Sequence, residues 1–297
     1  MKPRLRTIQK VRHLLCATLL LSLVTLAHAQ SPILPRNFGV KDGSVPEDPR
    51  EANRESFPMW SVSKELPNDV FTFARLRYNS YSSSRRGRHG KWLTDYPDSD
   101  LNFALRLQQL TALQVNPRGA IVDIDAEQLR HYPFVYMIEP GDIALHQDEA
   151  RTLREYLLNG GFMMVDDFWG SDEWDTFYVA LKQIFPDREP QELPLEHDIF
   201  HIVFDLKVKP QIPSVGAALA GRSKGITFEW NHGGDTTQVH YKGVFDDKGR
   251  MMMMICHNTD LGDGWEEEGT DPWYFREFSE KYGYPLGINI IFYAMTH

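Results

Sequence analysis

Gly160-Gly161-Phe162-Met163-Met164-Val165-Asp166-Asp167-Phe168-Trp169-Gly170, residues 160–170, is the stretch whose reading decides the fold. Phe162 to Val165 is apolar without alternation, the pattern of a strand covered by helices on both faces. Upstream, Asp148 to Asn159 places Leu153, Tyr156 and Leu157 on one helical face, and Gly160-Gly161 ends that helix because glycine accepts the left-handed conformation. Downstream, Ser171 is the expected cap of a helix carrying Trp174, Phe177, Leu181 and Ile184 at three-to-four spacing. Asp166-Asp167 therefore falls where a buried strand gives way to a helix.

The same alternation extends in both directions. Val70 to Tyr78 reads as one strand, and Gly119 to Ile124 and Phe134 to Ile138 as two more. Between the first two, Asp98 or Ser99 is expected to cap a helix with Leu101, Leu105 and Leu110 along it. Strand and helix alternating over 70–185 predict an α/β fold with a mostly parallel central sheet. Beyond 185 the pattern turns to β. Ile199 to Leu206, Ile226 to Trp230, Val239 to Phe245 and Arg250 to Cys256 read as strands, the last two forming a hairpin about Asp246-Asp247-Lys248-Gly249. A helix near Pro272 to Glu280 and another over Pro285 to Thr296 close the chain.

The ends of the chain read differently. Lys2, Arg4, Arg6, Lys10 and Arg12 precede an apolar run from Leu14 to Leu26, and Ala27-His28-Ala29 then fits a small-x-small cleavage site. This pattern predicts a secretory leader over 1–29, so the protein is expected to be exported, periplasmic or secreted. The run is too short for the roughly 20 residues of a spanning helix. No later stretch reaches that length, so no transmembrane span is expected in the mature chain. Residues 30–69, with Pro32, Pro35, Pro46, Pro49, Pro58 and Pro67, read as an arm whose Phe57, Met59 and Trp60 pin it to the domain at 70–297.

Composition narrows the function. The chain has 297 residues, 42% hydrophobic and 12% aromatic, with 32 basic and 41 acidic side chains, a net charge of −9 and a pI near 5.7. Removing 29 residues that hold five basic and no acidic side chains leaves 268 residues at −14. Such a chain is neither disordered nor a general nucleic-acid binder. Cys256 then stands alone, so the core must be hydrophobic rather than disulfide-stapled.

Several groups of residues could carry chemistry. In open parallel sheets ligands bind at the carboxyl ends of strands, which makes Asp166, Asp167 and Trp169 candidates. Two adjacent carboxylates can hold a cation or act as acid and base, although one can also simply cap a helix. His197 and His201 have a zinc-like i, i+4 spacing, but on a strand they would stand about 13 Å apart. The loop entered at Cys256-His257 carries Asp260, Asp263, Trp265, Glu266, Glu267, Glu268 and Asp271, a composition that suits a hard cation without matching an EF-hand. Asp166, His201, His257 and Asp260 are the metal-ligand candidates for a divalent ion; Asp166, Asp167 and His257 are the catalytic ones; Trp169, Asp260, Asp263 and Trp265 are the ligand-binding ones. Cys256 reads as a buried thiol. Met251 to Met254 reads as core, since successive strand residues cannot converge on one ion. Arg85, Arg86, Arg88 and Lys91 make a local basic loop that reads as solvated surface or as a docking element.

The blocks Arg86–Phe103 (RGRHGKWLTDYPDSDLNF), Leu157–Gly170, His197–His201, Gly243–Glu266 and Tyr284–His297 together resemble the bacterial "domain of unknown function 4159" family. That resemblance implies a flavodoxin-like, class I glutamine amidotransferase-like sandwich. It implies no activity, and the turn after Val165 has no Cys or Ser where such enzymes keep their nucleophile.

Three functions of different kind are consistent with this reading. The first is an exported, non-amidotransferase binding or scaffold module for an unknown ligand, with Trp169, Trp174, Trp265 and Trp273 available as an aromatic surface. The second is a metal-dependent hydrolase using Asp166, Asp167, His201, His257 and Asp260. The third is an envelope interaction protein docking a partner through its basic loop.

Overall fold

A computed structural model of the chain describes residues 57–65, 69–81 and 90–297. The leader, the arm before residue 57, and Arg85, Arg86 and Arg88 of the basic loop lie outside the described residues. Nine strands are described: β1 (Val70–Phe71), β2 (Ala74–Arg77), β3 (Gln114–Val115), β4 (Ala120–Asp123), β5 (Phe134–Ile138), β6 (Phe162–Asp166), β7 (Gln191–Glu192), β8 (His240–Phe245) and β9 (Met251–His257). Seven form one sheet in the order β4-β2-β5-β6-β9-β8-β7, and β1 pairs with β3 apart from it. The run β4-β2-β5-β6-β9 is parallel throughout; β8 is antiparallel to both its neighbours.

The helices among the described residues are α1 (Asp98–Leu110), α2 (Ala126–Leu129), α3 (Gln147–Leu158), α4 (Gly170–Ile184), α5 (Val215–Gly221), α6 (Leu261–Glu266), α7 (Pro272–Tyr274) and α8 (Tyr284–Thr296), with a π-helical segment, Phe275–Gly283, joining α7 to α8. None is long and apolar enough to cross a membrane.

Side chains of β6 alternate between two cores. Phe162 and Met164 pack with Phe103 and Leu107 of α1, Trp265 of α6 and Ile288 of α8. Met163 and Val165 pack with Leu153 and Leu157 of α3 and Phe177 and Leu181 of α4. A strand residue points to the opposite face from its neighbour, so helices on both sides require every position of β6 to be apolar up to Asp166. The expectation of a mostly parallel α/β sheet is met.

Several local expectations are overturned. Val70 to Tyr78 is not one strand: Val70–Phe71 pairs with β3, whereas Ala74–Arg77 pairs with β4 and β5. Ile199 to Leu206 is a 3-10 turn at Asp198–Phe200 followed by irregular chain. Its backbone is satisfied by a side chain rather than a ladder, because Asn289 Oδ1 accepts from Val203 N and Phe204 N while Asn289 Nδ2 donates to Phe204 O. Ile226 to Trp230 is not a strand either. Instead the short, polar β7, which carries no apolar signal, completes the sheet beyond β8. Asp98 and Ser99 lie inside α1 rather than capping it, and Leu110 is 53% exposed while Phe103, Ala104 and Leu107 face the core. Ser171 lies inside α4; its N-cap is Trp169, whose N–H is taken by the Glu173 carboxylate at 2.7 Å. Of Phe57, Met59 and Trp60, Met59 is 42% exposed, whereas the Trp60 indole N–H donates to Val115 O at 2.7 Å.

Candidate functional site at the carboxyl edge of the parallel sheet

The parallel strands end in strained turns. Glu139 follows β5 at φ 46°, Asp167 follows β6 at φ 56° and Asn258 follows β9 at φ 59°, while Asp95 in the connection after β2 has φ 61°. These are all the non-glycine residues with positive φ among the described residues. Each such conformation costs on the order of 1–3 kcal/mol, and such strain gathers at functional sites. Side chains hold these turns. Asn258 Oδ1 accepts from Gly170 N at 2.7 Å, and its amide donates to Gln238 O and Asp235 O. Glu139 accepts from Thr94 Oγ1 at 3.0 Å and pairs with Lys91.

Five carboxylates gather inside this edge. Asp166 is fully buried; its Oδ2 accepts from Tyr136 Oη (3.1 Å), Leu261 N (2.9 Å) and Gly262 N (3.1 Å). Its Oδ1 has no hydrogen-bond partner among the described residues. Burial raises its pKa to about 7 against Tyr136 Oη and the Gly262, Asp167 and Leu261 N–H groups, which all favour the charged form. Asp260 caps α6 by accepting from Asp263 N at 2.7 Å. Ligand atoms of Asp95, Asp260 and Asp263 lie within 4.8 Å of one another, and those of Asp263, Glu266 and Glu267 do the same. Asp95 Oδ2 is buried without a hydrogen-bond partner. Asp95, Asp167, Asp260 and Asp263 are all pushed well above the usual carboxylate range, chiefly by burial and then by the neighbouring acids.

The nearest buried cation is already committed. Arg75 on β2 is fully buried and gives Nε and Nη2 to Asp100, Nη1 to Trp92 O and Thr94 O, and Nη2 to Ser99 Oγ. It anchors the segment that carries Asp95 while its charge is balanced by Asp100.

A second group closes over the start of α4. His232 bridges Glu173 Oε1 (2.9 Å, Nδ1) and Glu229 Oε2 (3.1 Å, Nε2), and these two carboxylates raise its pKa to about 9. The loop that follows His232 touches Gly170, which has φ +74°; a Cβ there would collide with the carbonyl oxygen of Gly233. Gly170→Ala is expected to cost about 2 kcal/mol or more, because strain and a backbone clash act together. Urea unfolding checks this, and a loss under 0.5 kcal/mol, roughly the scale of a neutral surface change, would show that the loop does not press on the helix.

Of the residues picked out by the sequence, Asp166, Asp167, Asp260 and Asp263 come together. His201 and His257 belong to neither close group of ligand atoms. His201 serves its own turn through Asp205 Oδ1 and Leu195 O, both at 2.7 Å. His257 bonds to Gly170 O at 2.9 Å against Phe168 and Trp174, and burial lowers its pKa to about 4. Trp169 and Trp265 are buried rather than surface-forming. The Trp169 indole donates to Asp167 Oδ1 at 3.3 Å, whereas Trp265 packs on Phe103 and donates to Gly283 O. Cys256 is buried and its thiol is pushed up by burial. Sequence reading missed Asp95, Arg75, Glu173, Glu229 and His232. Of these, His232 beside Gly233-Gly234 had a local signal, a titratable residue in a glycine-bent loop.

The family described as Domain of unknown function (DUF4159) matches residues 72–295. No curated protein matches the chain.

Proposed function

The chain belongs to the DUF4159 family, and from that premise we propose that it is an exported, non-amidotransferase binding module. Its ligand is cationic and enters the carboxylate cluster where β6 and β9 end. The observation that carries this is the pair of buried carboxylate oxygens, Asp95 Oδ2 and Asp166 Oδ1, left without hydrogen-bond partners. Buried carboxylates are stable when protonated, paired or bound to a cation, and Arg75 is spent on Asp100.

The scaffold reading has its own support. Numbered along the chain, the parallel strands β4-β2-β5-β6-β9 run 2-1-3-4-5, the flavodoxin-like order, in which ligands sit beyond the carboxyl ends. A glutamine amidotransferase-like sandwich is consistent with that order, but the turn after Val165, which looks equivalent to such an enzyme's nucleophile turn, carries Asp166-Asp167 and no Cys. Export rests on the basic head, apolar run and Ala27-His28-Ala29, and the reading of 70–297 as the ligand-binding domain rests on the strand and helix pattern.

Thermal unfolding at pH 8 tests the binding reading. A cation at 100 times its Kd stabilises by about 2.7 kcal/mol, or a Tm rise of about 5–10 °C at this size. If neither Mg2+, Ca2+, Mn2+ nor spermidine raises Tm above a sodium chloride control of equal ionic strength, the reading fails.

A metal-assisted hydrolase is the second reading. It is favoured by Asp166, a carboxyl held at about 7 that can both take and give a proton at neutral pH. Its ligands would be carboxylates, without His201 or His257.

A further inference from the structure

We infer that Asp95, Asp260 and Asp263 form the binding site of a single hard divalent cation, of the magnesium, calcium or manganese class. This rests on the cationic-ligand reading above and gives it a ligand set. The three residues come from two places in the chain: Asp95 from the connection after β2, Asp260 and Asp263 from the start of α6. Their ligand atoms lie within 4.8 Å of one another, a spacing that one ion coordinated at about 2.0–2.6 Å can bridge.

Two further observations set this cluster apart from a mere patch of acids. The first is Asp95 Oδ2, buried and unpartnered, lying against Gly262 so closely that a Cβ there would strike it and also meet the Tyr136 hydroxyl. The second is Asp166, fully buried and bonded to the same glycine. Its Oδ2 takes the Gly262 N–H and the Tyr136 hydroxyl, while its Oδ1 has no hydrogen-bond partner. Gly262 thus touches both carboxyl groups that keep an unpartnered oxygen: Asp95 Oδ2 lies against it, and Asp166 Oδ2 accepts its N–H.

The supports are hydrogen-bonded. Asp260 N donates to Ile212 O at 2.8 Å, Ile212 N donates to Thr259 Oγ1 at 3.0 Å, and Asp263 N donates to Asp260 Oδ1. Capping uses one oxygen of Asp260 and leaves the other available. Glu266 and Glu267, with ligand atoms close to Asp263, are part-exposed and add negative charge beside it. An all-oxygen donor set without His or Cys suits hard ions and disfavours zinc or copper.

The test is Mn2+ titration of the full chain at pH 7.5, with free ion counted by electron paramagnetic resonance. Wild type should bind one Mn2+, displaced by excess Mg2+ or Ca2+. Asp95→Asn and Asp263→Asn should each weaken binding at least ten-fold, and exposed Asp148→Asn should leave it unchanged. Both cluster variants should unfold cooperatively and, without metal, at a Tm equal to or above wild type, because each removes a repelled carboxylate; if one fails to fold, the other decides. Wild-type binding that neither variant weakens overturns this ligand set while leaving the cationic-ligand reading intact. Stabilisation by spermidine with no divalent ion bound does the same. No binding of any cation overturns both.

Discussion

Arg75→Leu is expected to destabilise the protein by about 3–5 kcal/mol, the usual cost of leaving one partner of a buried ion pair behind. Arg75 is fully buried and Asp100 is 2% exposed. Losing the guanidinium would leave the Asp100 carboxylate, Ser99 Oγ and the carbonyls of Trp92 and Thr94 without their donor. The double variant Arg75→Leu/Asp100→Leu should recover a large part of that loss, because no isolated charge remains. Urea unfolding of both proteins measures this. A single-variant loss below about 1 kcal/mol would place Arg75 among ordinary positions and contradict its role as anchor. The same substitution should weaken cation binding, since Arg75 ties down the segment that presents Asp95.

The second large effect is on pH dependence. Without added cation, stability is expected to fall as pH rises from 6.5 to 9. His232 has a pKa of about 9 when folded against an ordinary 6.5, so it stabilises fully below 6.5 and that contribution is lost as pH climbs through 9. Its share is on the order of 3 kcal/mol at 1.36 kcal/mol per unit. Asp95, Asp167, Asp260 and Asp263 have the same sign: raised above the unfolded value, each contributes stability at low pH that is lost on ionisation. Asp166, at about 7, loses its contribution between about 4 and 7. His257 opposes it over most of that window, because its lowered pKa of about 4 makes the folded state gain stability as pH rises towards 6.5. The charged groups facing this edge also include Glu139 with Lys91, and Arg75. Urea unfolding at fixed ionic strength from pH 5 to 9 should show the decline above 6.5, and His232→Gln should flatten part of it. A wild-type stability that rises steadily over 6.5–9 would contradict the raised value of His232.

The fold was legible wherever burial on both faces left a continuous apolar run. Phe134–Ile138, Phe162–Asp166 and Met251–His257 are central strands, and nothing polar interrupts them before their ends. Legibility failed where tertiary partners replaced the ladder. Ile199 to Leu206 has strand composition, yet Asn289, more than 80 positions away, supplies its hydrogen bonds. It failed again at β7, two exposed polar residues recruited by pairing with β8.

The site was half legible. Asp166 and Asp167 could be placed because a strand end is a position in the sequence pattern. Asp260 and Asp263 stood out by composition. Asp95 could not be found, since its relevance depends on a buried arginine on another strand that carries no pattern of its own. The histidines misled for a related reason. Spacing suggested ligands, whereas His201 satisfies its own turn and His257 secures the first residue of α4.

The cationic site is tested most directly by calorimetric titration of the full chain with Mn2+ at pH 7 in two buffers of different ionisation enthalpy. Carboxyl ligands bind a metal only when deprotonated, so any proton they carry leaves as the ion arrives. The expected result is one ion bound per chain with a buffer-dependent heat that reports net proton release. Absence of binding, with no such release for Mg2+, Ca2+ or spermidine either, would contradict a cation site at the carboxyl edge of β6 and β9.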